Sequence, residues 1–250
     1  MEKERYFMLD ALRGCCLVSM ILYHTAWDCV YIFGVNLPWF RTEYAYLWQQ
    51  SICWTFILLA GFCAPFSKSG CKRGGIVFFW GAVIMLATCL FMPDNKVLFG
   101  ILTLLGSCML LTSLLKRFLS RLPALPGMLA SFLLFILLRN VNNGYLGFEW
   151  WKPVKLPACL YRNYVTAFLG FPVAGFSSSD YFAVIPWLFL FLTGYFAHFI
   201  IMNSRAAEVL KKRTGRALIW MGQNSLFLYV LHQPVVYSVL FAASKLIKAS

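Results

Sequence analysis

The chain has 250 residues, 61% of them hydrophobic and only 12% charged, with a mean hydropathy of +0.72. A soluble domain carries about 25% charged residues, so a soluble globular class is excluded and the surplus apolar side chains must face lipid. The net charge of +13 is read as basic cytoplasmic loops of a membrane protein, not as a nucleic-acid surface.

A helix needs about 20 apolar residues to cross the hydrocarbon core. Seven stretches meet that length, approximately 7–33, 46–66, 74–92, 97–115, 124–142, 181–202 and 217–243. Between them lie short separators rich in Pro, Gly, Lys and Arg, such as SKSGCKRGG, MPDNK, KRFLSRLP and NSRAAEVLKKRTGR. With the N-terminus inside, the cytoplasmic segments collect Lys3, Arg5, Lys68, Lys72, Arg73, Lys116, Arg117, Arg121, Arg205, Lys211, Lys212, Arg213 and Arg216. The outer segments hold fewer basic residues, diluted by Glu43, Asp94, Glu149 and Asp180. The asymmetry predicts an all-α polytopic bundle of about seven helices, N-in and C-out.

Residues 158–176 are apolar enough for a weak further span, but a span there would move the most basic loop outside. A re-entrant or interfacial element is expected instead, preceded by the aromatic-rich FEWWKPVKLP. No internal repeat, low-complexity linker or cleavable leader pattern is evident, so residues 1–250 are read as one integral membrane domain. The nine cysteines form no CxxC pair and no metal or disulfide spacing, and no metal is expected.

The first stretch, LDALRGCCLVSMILYHTAWD, carries Asp10, Arg13, His24 and Asp28. At 100° per residue these fall within about 60° of arc and span about 27 Å along the axis. Lipid will not face such a ladder, so it must point into the bundle or a wet cavity. Asp10 and Arg13 can serve simply as an i,i+3 ion pair. His24 lies well inside the span, and Asp28 one turn on is placed to orient its imidazole and stabilise the imidazolium, which suits acid–base or nucleophilic chemistry.

RYFMLDALRG followed by MILYHTAWD resembles the N-terminal motif of the heparan-alpha-glucosaminide N-acetyltransferase catalytic-domain family. The spacing from Arg13 to His24 is also similar to the arginine–histidine signature of the acyltransferase-three membrane family. FILLAGF (56–62), FGILTLLGSCMLL (99–111), SSDYFAVIPWLFLFLTGYF (178–196) and GQNSLFLYVLHQPVVY (222–237) continue the resemblance in order along nearly the whole chain. It implies a membrane acyltransferase that moves an acyl group, acetyl in the first instance, from cytosolic acyl-CoA to a sugar or amino-sugar acceptor at or across the membrane. Carried onto this sequence, His24 becomes the catalytic histidine and Arg13 a donor-binding cation, with direct transfer and a covalent acyl-histidine both open.

Other positions complete the expectation. Pro234 frees a carbonyl one turn back and bends the last helix, aiming His232 or Gln233 at the substrate cavity. Asp10, Asn224 and Ser225, with Gln223 beside them, are placed to meet polar parts of the donor, although Asn224 and Ser225 equally suit a plain helix cap. Asp180, Tyr181 and Trp187 stand at the outer end of the sixth span and suit a sugar acceptor. His198, without an acidic neighbour, reads as structural. Lys72, Arg73 and the run from Lys211 to Arg216 suit coenzyme A phosphates, but the positive-inside rule explains them too. Membrane lipid and the acceptor sugar are the partners to expect, nucleic acid is not, and a homo-oligomer is left open. A transporter or flippase of small polar or lipid-linked molecules, or an inactive scaffold of the same fold, is the rival reading.

Overall fold

A computed structural model describes residues 5–249, and Lys3 of the basic N-terminus lies outside them. Helix, 3-10 turns included, makes up 73% of the described residues, and a single two-stranded hairpin is the only sheet among them. The architecture is all-α. In chain order the helices are α1 (Phe7–Tyr31), α2 (Glu43–Cys63), α3 (Gly70–Phe91), α4 (Ile101–Leu114), α5 (Lys116–Leu119) and α6 (Ala124–Leu138). Strands β1 (Tyr145–Phe148) and β2 (Trp151–Lys155) follow, then α7 (Tyr164–Leu169), α8 (Val184–Met202), α9 (Ala206–Leu210), α10 (Arg216–Gln223) and α11 (Ser225–Ala249).

Six of these helices are long and apolar enough to cross a membrane: α1, α2, α3, α6, α8 and α11, three of them counted with short flanking or trimmed ends. The expected seventh, 97–115, is the 14-residue α4. At 1.5 Å per residue it covers about 21 Å, short of the roughly 30 Å hydrocarbon core. Its late start has a local cause. Phe99 has φ +55 and Gly100 is extended, so residues 97–100 cannot join the helix. The expected last span is likewise divided, because Asn224 ends α10 before α11 begins. Residues 158–176 contain only a 3-10 turn and the six-residue α7, so this segment is not a spanning helix.

The chain divides into two compact units, residues up to 56 with those from 204 on, and residues 57–203. In the first unit, α1 packs on α2 through a cluster of Cys16, Leu17, Met20 and Ile52, with Met221, Leu228 and Tyr229 against it. Trp48 Nε1 donates to Ser19 Oγ at 2.8 Å, closing the same contact with a polar link. Between α1 and α10 the backbones nearly touch. A Cβ on Gly14 would lie 2.1 Å from the carbonyl oxygen of Leu218, and one on Gly222 would lie 1.8 Å from that of Asp10. Small residues at such crossings are how helices approach closely where no water drives them together. Gly222→Ala is therefore expected to push α10 off α1 and destabilise the protein by about 2 kcal/mol or more. Thermal unfolding in detergent measures this, and an unchanged midpoint would mean the contact is slack.

In the second unit, α3 and α4 make a similar crossing at Gly74, Gly81 and Gly106. The fully buried Phe135 of α6 meets Trp187 of α8 at 5.5 Å between ring centroids. His198 Nδ1 lies 2.8 Å from the Phe62 carbonyl and its ring sits among Phe62, Phe66 and Phe199. That is a structural placement. The turn and second strand of the β1–β2 hairpin fall in FEWWKPVKLP, and Asn140 Nδ2 donates to the carbonyls of Glu149 (2.9 Å) and Trp151 (3.3 Å).

Candidate functional site

The polar ladder of α1 resolves into two clusters at its two ends. At the first, Asp10 Oδ1 accepts from Arg13 Nη1 at 3.4 Å, while its Oδ2 accepts from Arg5 Nε at 3.2 Å and Gln223 Nε2 at 3.3 Å. The i,i+3 pair suggested by the spacing is thus present, and α10 joins it. The close α1–α10 crossing at Gly222 brings Gln223 within reach of Asp10. Asn224 turns its side chain back, Nδ2 donating to the Trp220 carbonyl at 2.9 Å, and its own carbonyl accepts from Leu228 N at 3.0 Å. Asn224 and Ser225 therefore form the joint between α10 and α11. Arg213 lies over the Phe7 ring at 4.3 Å, which ties the basic loop to the start of α1.

At the second cluster α1 meets α11. Asp28 is fully buried, and Gln233 Nε2 donates to both of its carboxyl oxygens, at 2.8 and 3.0 Å. The rings of His24 and His232 are in contact, 5.1 Å between centroids and tilted by 53°. His232 Nδ1 lies 2.5 Å from the Tyr229 carbonyl. Its Nε2 is buried without a hydrogen-bond partner, as is Oε1 of Gln233. Tyr23 and Tyr229 place their rings beside the two histidines.

The sequence thus predicts the members of this cluster but not its pairing. Asp28 sits one turn from His24, yet its oxygens are held by Gln233, and no hydrogen bond joins Asp28 to His24 among the described residues. His24 itself keeps part of its surface and makes ring contacts only, with Tyr23 and His232. No protein group among the described residues hydrogen-bonds its ring nitrogens. Among the described residues no group of three or more His, Cys, Asp or Glu is placed to hold a metal ion.

The three residues expected to meet an acceptor lie in the second unit, each already engaged. Asp180 Oδ2 accepts from Ile101 N at 3.4 Å, at the start of α4. Tyr181 donates its hydroxyl to the Ala167 carbonyl. Trp187 is 3% exposed, under the Arg139 guanidinium at 4.8 Å. Tyr181 also lines an open cavity of about 360 Å³ with Asn142, Asn143, Phe176, Ser177 and Ser178. The amides at 142 and 143 follow the end of α6 and carried no signal in the sequence beyond their polarity.

Asp180 lies outside the long apolar helices. Burial pushes its carboxyl up to about 6, with the Ile101 N–H pulling the other way. A carboxyl whose folded value lies above its unfolded value of about 3.9 favours the folded state below pH 4. That contribution is lost as the pH rises through about 6. Asp180→Asn is therefore expected to flatten this part of the stability profile, raising stability at pH 7 relative to pH 4 by on the order of 2–3 kcal/mol. Parallel profiles of the two proteins between pH 4 and 7 would contradict it.

Long apolar helices around an intramembrane imidazole–carboxylate cluster define an integral membrane protein with a buried polar site. Comparison with protein families places it further. Residues 5–234 match the family described as heparan-alpha-glucosaminide N-acetyltransferase, catalytic, and the chain belongs to that family. The family is one of multi-pass membrane acetyltransferases that use acetyl-CoA. No curated protein and no solved structure matched the chain.

Proposed function

We propose that this protein transfers an acetyl group from cytosolic acetyl-CoA to a sugar or amino-sugar acceptor, with His24 as the reacting group. The observation that carries the reading is His24 itself. It belongs to a family of acetyltransferases, sits in a buried polar cluster, and its imidazole forms no hydrogen bond with the protein. In the working orientation the N-terminus is cytoplasmic and the C-terminus external, the short α4 completing a seventh crossing of a prokaryotic plasma membrane. Both compact units act as one acyltransferase domain.

Each end of α1 then has its task. At the cytoplasmic end, Arg13, positioned by Asp10, meets the donor, with Asn224 and Ser225 offering polar groups and the basic loops attracting its phosphates. Deeper in, His24 either takes the acceptor's proton or carries the acetyl group as an acyl-imidazole, and Asp28 supplies the counter-charge to the imidazolium. His232 and Gln233 close the site from α11. Asp180 and Tyr181 serve acceptor recognition beside an uncharged cavity of amides and hydroxyls, with Trp187 behind them. Such a lining suits the hydroxyls of a sugar ring. A second copy of the chain, packed through lipid-facing helices, completes the assembly.

The test is direct. Purified protein in detergent is given radiolabelled acetyl-CoA with and without glucosamine. Acceptor-dependent release of coenzyme A, with label appearing in the sugar, is the expected result. Label found on the protein before acceptor is added selects the acyl-histidine route. A protein that neither binds nor turns over acetyl-CoA would overturn the reading.

A further inference from the structure

We propose that His232 is the group to which His24 gives up its proton, so that the two histidines form a proton-sharing pair. The proposal rests on the acetyl-transfer reading for its purpose, but its geometry stands independently.

The tautomer of His232 is fixed by its neighbour. Nδ1 lies 2.5 Å from the Tyr229 carbonyl oxygen, and a carbonyl only accepts, so Nδ1 carries the hydrogen. In the neutral ring that leaves a bare lone pair on Nε2. This atom is buried and has no hydrogen-bond partner. An unpaired buried acceptor is costly to keep. Two titratable rings pack on the His232 ring, His24 at 5.1 Å and Tyr229 at 5.3 Å between centroids, and of these only the imidazole exchanges a proton readily near neutral pH.

Two imidazoles joined by an N–H···N bond of about 2.9 Å in the ring planes have centroids about 5 Å apart. The observed separation is 5.1 Å. The separation therefore matches that of a proton-sharing pair, which the two rings reach by turning out of their 53° tilt until nitrogen faces nitrogen. Rotation about χ2 of a histidine is soft enough to supply that. Asp28, the carboxylate nearest in sequence, is taken up by Gln233 through both oxygens. The other titratable groups in ring contact with the pair are Tyr23 of α1 and Tyr229 of α11, with Cys53 of α2 near Tyr23 and Cys29 near Asp28.

The chemistry balances on either route. When His24 attacks the thioester, a C–N bond to the acetyl carbon forms and the C–S bond breaks, with coenzyme A leaving as thiolate. The second ring N–H of the acylated His24 passes its proton to Nε2 of His232, which delivers it to the thiolate. The acceptor then attacks the acyl-imidazole, the C–N bond to His24 breaks, and the acceptor's proton restores His24. In direct transfer His24 takes the acceptor's proton, hands it to His232, and the thiolate receives it.

His232→Gln and His232→Ala are tested with acetyl-CoA and glucosamine across about pH 5.5 to 9. The expected result is a kcat lowered roughly 100-fold, with KM for acetyl-CoA within about twofold of wild type. The acidic limb of the pH profile moves, because His24 alone is left to set it, and added imidazole partly restores the alanine variant. A His232→Gln enzyme within about threefold of wild-type kcat, or one affected only in KM, overturns the proposal. A second measurement does not depend on turnover. The chain has three histidines, so 15N labelling gives three resolvable rings. His232 is expected as the Nδ1–H tautomer, with a titration that shifts in His24→Gln. A protonated Nε2 in the neutral ring, or a titration indifferent to His24→Gln, overturns the pair. If wild type releases no coenzyme A, the acetyl-transfer reading fails while the nitrogen spectrum still decides the pair.

Discussion

His24→Ala is expected to lower acetyl transfer by about 10³-fold or more, the scale of loss for a group that is itself the nucleophile or base. The fold should survive the change. His24 keeps part of its surface and makes no hydrogen bond, so its removal leaves no orphaned donor or acceptor elsewhere. What is lost structurally is one ring against Tyr23 and His232, about 1–3 kcal/mol in a partly open site. The measurements are label transfer to acceptor, coenzyme A release, and thermal unfolding of the same preparations. A fall in kcat and kcat/KM together would mark an interaction made in the transition state. Transfer at the wild-type rate would remove His24 from the chemistry altogether.

Arg13 provides the contrast. It belongs to a cluster with Asp10, Arg5 and Gln223 at the other end of α1, and is proposed to meet the donor. Its replacement should act on KM for acetyl-CoA more than on kcat, because a group that holds substrate and transition state alike contributes uniform binding.

The composition and the periodicity of the apolar runs fixed the class of fold, because a chain with 12% charge has few ways to be folded outside lipid. A helix start was legible where Pro precedes it, as at Ala124 after Pro123, whereas α3 begins at Gly70, a turn before the expected 74. Helix ends were not legible where a backbone angle decides. The positive φ at Phe99 shortens α4, and Phe is not a residue whose identity announces it. The β1–β2 hairpin was also hidden, since FEWWKPVKLP lacks an Asn-Gly or Asp-Gly turn and reads as interfacial aromatics. Its anchor, Asn140 on two hairpin carbonyls 9 and 11 residues on, is a side-chain contact that no turn motif announces.

The site shows the same division. One helix's geometry is local, so the shared face of Asp10, Arg13, His24 and Asp28 could be counted from the sequence. The identity of each group's partner is tertiary. Spacing favours His24 with Asp28 at i+4, yet the approach of α11 gives Asp28 to Gln233 and His24 to His232. The sequence marked His232 and Gln233 through the proline that follows them, and this located the right turn of α11 without saying which atom meets which.

Gln233→Leu is expected to destabilise the protein by about 2–4 kcal/mol, the largest single stability effect at the site. Neutral polar pairs between membrane helices average only about 0.6 kcal/mol, because the separated helices find other partners. Here the acceptor is a carboxyl group with no exposed surface, and Gln233 gives it both of its hydrogen bonds to the protein. Removing the amide leaves a buried carboxyl group without its donor, and an unpaired buried polar group costs about 1–3 kcal/mol, more when it is charged. Asp28→Leu should cost less, about 1–3 kcal/mol, since it strands a neutral amide. The double change to leucine strands neither and should recover most of the loss, giving a coupling energy near 2 kcal/mol. Unfolding of the four proteins in one detergent measures the cycle. Additive losses would show that Gln233 does not hold Asp28. A double variant that regains stability but not acetyl transfer would separate the two roles of Asp28, as a fastening between α1 and α11 and as the counter-charge behind the histidine pair.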